Sequence, residues 1–189
     1  MSQHLPQRVV PVSRPGGGGA VGYQYVQSQP ADGYNIVWNS NSISTTFHGG
    51  NLPFDHTAFT PIAKISEEVI AVAVRSDSGW ESLTDIAEAV KASGQPLRVG
   101  ASGRGSFTHL ATEAVLADLG LSEAAIHVPY DEGRAPVELL AGRLDAAVQW
   151  PGQFVSHHQA GTLRIVCVSG AARIPSLPDV PTCVEAGAP

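Results

Sequence analysis

The residues best able to do chemistry are concentrated in Gly100-Ala-Ser-Gly-Arg-Gly-Ser-Phe-Thr-His109. Glycines between a strand and a helix let backbone N–H groups turn toward a bound group, and the helix N-terminus favours negative charge, so the stretch reads as an anion site. The competing reading is structural: the glycines make a tight turn and Ser106 caps the helix. The residues alone leave the two level. Sharper chemistries fail on spacing. A dinucleotide fingerprint needs G-x-G-x-x-G, whereas the glycines here stand at positions 100, 103 and 105. A P-loop needs Gly-Lys followed by Ser or Thr, and a nucleophile elbow needs G-x-S-x-G where this chain has Arg104.

Other reactive groups are scattered. Of the seven histidines, only His157 and His158 are adjacent, and none has H-E-x-x-H spacing, so no metal is expected. The acid pairs Glu67-Glu68 and Asp131-Glu132 lack a nearby nucleophile and read as solvated. Arg104 and Arg134 could each meet an anion bidentately, although solvent exposure is the default for either. Gly16 to Gly19 follow Arg14-Pro15 without a Lys-Ser or Lys-Thr partner, and read as a loop permitting close backbone packing. Cys167 lies in an apolar run and reads as a buried free thiol, with a disulfide to Cys183 as the alternative.

These residues need elements to position them. Ala20 to Gln29 reads as a helix stopped by Pro30, Tyr34 to Trp38 as a strand, and Asn39-Ser40-Asn41-Ser42 as a polar loop at its carboxyl end, where open α/β sheets place ligands. Val69 to Val74 is an apolar run. Ser82-Leu-Thr-Asp85 has the form of an N-cap, with Leu83, Ile86, Ala87 and Val90 at helical spacing. Strands are then expected at 97–101, 126–129, 145–150 and 163–169, alternating with helices at 107–119 and 136–144 and a short one ending near Gly161. That alternation predicts a parallel sheet with helices on its faces. Thr182 to Ala186 could add a helical turn.

Bulk properties narrow the class. With 189 residues, 43% hydrophobic and 15% charged, the chain reads as an ordinary folded protein. A net charge of -6 with 11 dispersed Lys and Arg argues against a nucleic-acid surface. No apolar run approaches the roughly 20 residues of a membrane span. The start Met-Ser-Gln-His-Leu-Pro-Gln-Arg8 lacks the regions of a secretory signal, which leaves either a cytoplasmic protein or a secreted one without its front.

Several strings occur in order: Arg14-Pro-Gly-Gly-Gly-Gly, Ala31-Asp-Gly-Tyr, Leu52-Pro-Phe-Asp, Phe59-Thr-Pro-Ile, Gly100-Ala-Ser-Gly-Arg-Gly-Ser with His109-Leu, His127-Val-Pro-Tyr, Leu140-Ala-Gly-Arg-Leu-Asp and Leu177-Pro-Asp-Val-Pro-Thr. Together they resemble the Bug-type periplasmic solute receptors of tripartite tricarboxylate transporters. The resemblance implies a type II periplasmic binding protein-like α/β fold with two parallel-rich lobes: an incomplete first lobe at 1–75 and a second at 76–189. It implies a non-catalytic receptor that needs no cofactor, binds a small carboxylate and delivers it to the transporter's membrane subunits in the periplasm, without inserting into the membrane itself. It also implies that Ser40, Asn41 and Ser42 face Ser102, Gly103, Gly105, Ser106 and Thr108 across a cleft, with Gln149 and Trp150 as a selective wall. Members begin with a signal peptide and a first strand and loop, and continue past Glu185-Ala-Gly-Ala-Pro, so the first lobe is expected to be incomplete here. Two readings compete with the receptor. One is an enzyme using the loop as an anion hole with His109 or His127 as base; the other is a non-binding remnant that self-associates through an open sheet edge.

Overall fold

The computed structural model describes residues 5–67, 69–130 and 133–188. Glu68, Asp131 and Glu132 of the acid pairs, and the start at 1–4, therefore lie outside the described residues.

Among the described residues, five strands form one sheet: β1 (Ala71–Arg75), β2 (Leu97–Ala101), β3 (Ala125–Pro129), β4 (Ala146–Gln149) and β5 (Leu163–Val168), in the order β3-β2-β4-β1-β5. β2 lies parallel to β3 and β4, whereas β1 runs antiparallel to β4 and β5. The parallel strands expected from the alternation are present, with β1 inserted antiparallel among them. The helices between β2, β3, β4 and β5 keep those four strands in one direction, whereas β1, also joined to β2 through a helix, runs against them.

Helices cover both faces. In β1, Val72 and Val74 join one core with Leu83, Ile86, Val99, Leu116 and Val148. Ala71 and Ala73 join the other, with Leu139, Ala147, Phe154 and Ile165. Strict alternation with burial on both sides is what a central strand requires. Burying each Leu or Ile in these layers contributes about 1.5–3 kcal/mol before entropy is subtracted.

Helix α3 (Leu83–Ser93) buries Leu83, Ile86, Ala87 and Val90, the residues at helical spacing. Its start is a capping box: Ser82 Oγ accepts from the Asp85 N–H at 3.1 Å, and the Asp85 carboxylate accepts from the Ser82 N–H at 2.8 Å. Helix α4 (Phe107–Asp118) follows the glycine-rich loop. Helix α5 (Ala135–Leu140) stops short of the expected Leu144, because Gly142 turns the chain at φ 71°. Helix α6 is Val155–Gln159.

Ahead of the sheet, α1 (Ala20–Gln27) and α2 (Ser42–His48) enclose a small core of Ala20, Tyr23, Ile43 and Leu52. Two expectations fail in this region. Residues 34–38 form no strand, and Tyr34 and Trp38 are 84% and 73% exposed. A strand exists only as part of a ladder, and no described segment pairs with this one. Ser42 opens a helix instead of ending a loop; Ile43, Thr46 and Phe47, at i, i+3 and i+4, carried that signal.

The reading of Cys167 as a free thiol is also corrected, because it is disulfide-bonded to Cys183. The tail returns alongside β5: Val168 bridges Thr182, and the Cys183 N–H donates to the Val168 carbonyl at 2.8 Å. This sets the two Cα atoms 4.8 Å apart, within disulfide reach. The expected turn at the tail forms, with the Ala186 N–H donating to the Thr182 carbonyl at 3.0 Å. No helix among the described residues is long and apolar enough to cross a membrane.

Candidate functional site

The site begins where β2 ends. Gly100 permits close packing there, since a Cβ would stand 2.3 Å from Leu144 Cδ1 and push that side chain aside. The chain then turns through Ser102 to Gly105, which has φ 82°, and enters α4 at its N-cap Ser106. Ser106 Oγ accepts from the His109 N–H at 3.3 Å and lies 3.2 Å from Thr108 Oγ1. Thr108 Oγ1 also accepts from the Ser102 N–H at 3.2 Å, and Gln149 Nε2 donates to Ser102 Oγ at 3.1 Å. Gln149 is buried at the end of β4, so its amide anchors the loop from beneath. Trp150 stacks on Phe107 with centroids 5.7 Å apart and planes 9° from parallel.

The other wall comes from the first 52 residues. Ser42 Oγ accepts from the Phe107 N–H at 3.2 Å, which joins the start of α2 to the start of α4. Gly18, at φ 67°, packs against the loop so closely that a Cβ would meet Arg104 O and Ser106 N at 3.1 Å each. Thr46 Oγ1 donates to the Gly18 carbonyl at 3.2 Å and so holds that turn. Tyr23 is buried beneath it, in hydrogen-bonding contact with Ser40; burial pushes its phenol pKa up, and the Ser40 contacts pull it down.

The structure therefore brings together Ser42 and the 102–108 loop, with Gln149 behind them. Ser40 and Asn41 lie at the head of α2 with exposed side chains. Sequence reasoning treated the Gly16–Gly19 run as a packing loop without finding its partner, and it missed Phe107 and Tyr23 as parts of the wall. Only positive-φ glycines ahead of a helix could have hinted at the first.

The hydrogen bonds show what the site can accept. A serine hydroxyl that accepts a bond still has its own proton to give. Ser42 Oγ, engaged as an acceptor by the Phe107 N–H, retains a donor. The N–H groups of Gly103, Arg104 and Thr108 make no hydrogen bond to the described residues. Together they form a donor-rich, short-armed cradle, suited to carboxylate oxygens. A groove of about 370 Å³ beside β5, lined by Ser76, Glu81, His158, Arg164 and Asp179, shares none of these residues.

Two histidines lie behind the cradle. The Gly105 N–H donates to His109 Nδ1 at 3.3 Å, and the His109 and His127 rings touch with centroids 4.3 Å apart. Burial lowers the His109 pKa, Glu113 opposes it and Arg104 reinforces it. Burial, then His109 and Arg104, bring His127 down to about 4 against a pull from the Ser102 backbone.

A helix-backed sheet with one antiparallel strand, presenting a glycine and serine loop to a second element, is an architecture found in solved solute-binding proteins. The model of the tripartite tricarboxylate transporter family receptor matches residues 1–189, and the chain belongs to that family. It is 30% identical over 190 residues to the UPF0065 protein of the tcbD-tcbE intergenic region of Pseudomonas sp. strain P51, covering 98% of this chain and 56% of that one. A TctC solute-binding protein from Polaromonas shares 29% identity at a TM-score of 0.68, covering 99% of this chain and 64% of that one. R. palustris Rpa4515, solved with adipate, shares 27% identity at a TM-score of 0.86, covering 100% of this chain and 64% of that one. The chain thus spans little more than half the length of the curated relatives it matches. The family and its solved members are binding proteins of transport systems, not enzymes, which removes the reading of His109 or His127 as a catalytic base.

Proposed function

We propose that this chain is a solute receptor for a small carboxylate, gripped between Ser40–Ser42 and Ser102, Gly103, Gly105, Ser106 and Thr108, with Gln149 supporting the loop. The observation that carries the reading is the Ser42 to Phe107 hydrogen bond, which joins two segments of opposite walls and leaves uncommitted donors beside it. The adipate bound by R. palustris Rpa4515 supports a carboxylate as the class of ligand. Residues 1–75 then belong to a first lobe and 76–189 to a second. Ligand stabilises the closed arrangement, which membrane subunits of a tripartite tricarboxylate-type transporter recognise at the periplasmic face.

Thermal unfolding with a panel of mono-, di- and tricarboxylates tests this. An acid present at about 100 times its dissociation constant should add roughly 2.7 kcal/mol, seen as a clear upward shift in Tm. Indifference to every acid, together with a mass that rises with concentration, would favour the competing reading of a self-associating chain. Exposed Tyr34, Ile36 and Trp38, alternating along an extended segment, are the observation behind that second reading.

A further inference from the structure

Besides its hydroxyl and backbone bonds, the glycine-rich loop is held by a bond to an imidazole. Gly105 lies between Arg104 and Ser106, whose backbone atoms form the surface against which Gly18 packs, and its N–H is directed at His109 Nδ1. We propose that His109 is a positioning residue: its unprotonated Nδ1 holds the Gly105 N–H and thereby sets the loop in the shape that receives Gly18, Ser42 and the carboxylate. The carboxylate part rests on the receptor reading above; the loop part does not.

The geometry fixes the chemistry of the ring. An Nδ1 that accepts carries no proton, so the neutral ring bears its proton on Nε2, which lies 3.7 Å from Glu113 Oε1 on the next turn of α4. Across the ring stands His127 of β3, itself held neutral chiefly by burial. Arg104, in the loop itself, is the remaining charge felt by His109. Burial and Arg104 therefore keep His109 neutral, and Glu113 opposes them. Protonation at Nδ1 would replace an acceptor with a donor facing the Gly105 N–H, and the loop would have to move.

The test compares the full chain with His109→Asn and His109→Leu. The asparagine Oδ1 can stand where Nδ1 stands and accept without titrating, whereas leucine fills the space with no acceptor. Amide hydrogen exchange at Gly105, corrected for intrinsic rates, is followed by NMR from about pH 7.5 to about pH 4.5. Binding of adipate and malate is titrated by calorimetry over the same range. One hydrogen bond corresponds to roughly a five- to tenfold effect. Gly105 protection in the natural chain should fall by that factor on acidification, stay level in His109→Asn, and be low throughout in His109→Leu. Affinity should follow the same pattern, with His109→Asn as the reference that carries every other titration, including the ligand's own. Should neither acid bind the natural chain at any pH, neither is its carboxylate, while Gly105 exchange still decides the role of His109. Equal Gly105 protection in the natural and leucine chains, or an asparagine chain as impaired as the leucine one, overturns the proposal. A leucine chain that fails to fold leaves the decision to asparagine: a level Gly105 profile upholds the proposal, and a profile that falls with the natural chain's overturns it.

Discussion

At the scale of single residues, His127 shows what burial does to a titratable group. Burial disfavours the cation and its neighbours His109 and Arg104 add to that, so the pKa falls to about 4, against about 6.5 for an unperturbed histidine. The unfolded chain therefore takes up a proton that the folded chain refuses between those two values. Stability is fully present above about 6.5 and is lost as the pH falls toward about 4. Urea midpoints measured across this window should decline in the natural chain and decline less in His127→Leu. Parallel declines would show that His127 contributes nothing. Neither the spacing of His127 nor its neighbours in sequence indicated this, because the burying ring of His109 comes from another element.

At the scale of elements, the site depends on a turn from one half of the chain docking on a loop from the other. Gly18 and Gly33 both sit at positive φ, 67° and 83°, so alanine at either carries a conformational cost of roughly 1 kcal/mol. They differ in surroundings: a Cβ at Gly18 meets backbone atoms of Arg104 and Ser106, whereas one at Gly33 meets nothing within 4 Å. Gly18→Ala should therefore destabilise by roughly 2 kcal/mol or more, and Gly33→Ala by roughly 1, in urea unfolding. Gly18→Ala should also speed exchange of the Phe107 amide, since separating the turn from the loop strains the Ser42 bond. Equal losses from the two substitutions would mean that the docking is slack. Element types were legible wherever a local signal existed: the capping box before α3, the glycines that end α3 and α4, and the apolar run of β5. They were illegible at 34–38, where strand-forming residues have no ladder to join.

At the scale of the whole molecule, the tail is tied to the sheet by the Cys167–Cys183 disulfide, across a separation of 16 residues. Closing a loop of that size restrains the unfolded chain by about 3 kcal/mol in the loop-entropy account. Reduction, or the double change Cys167→Ala with Cys183→Ala, should lower the unfolding free energy by roughly 2–4 kcal/mol. An unchanged urea midpoint under reductant would show that the tail is held by packing alone. Leu177 and Val180 bury against the second core, so the tail has apolar contacts of its own.

Local chemistry wrote most of the sheet and its helices into the sequence: alternating apolar runs, caps and glycine stops marked β2 to β5 and the helices between them, and ordered short motifs pointed to the receptor family. The tertiary structure alone decided the rest. The bond from Phe107 to Ser42 spans 65 residues, and that from Gln149 to Ser102 spans 47. The antiparallel insertion of β1, the docking of Gly18 on the loop and the pairing of the cysteines likewise join distant segments. Such contacts depend on how the segments are brought together in space, and no residue carries a mark of its distant partner in its own neighbourhood of the chain.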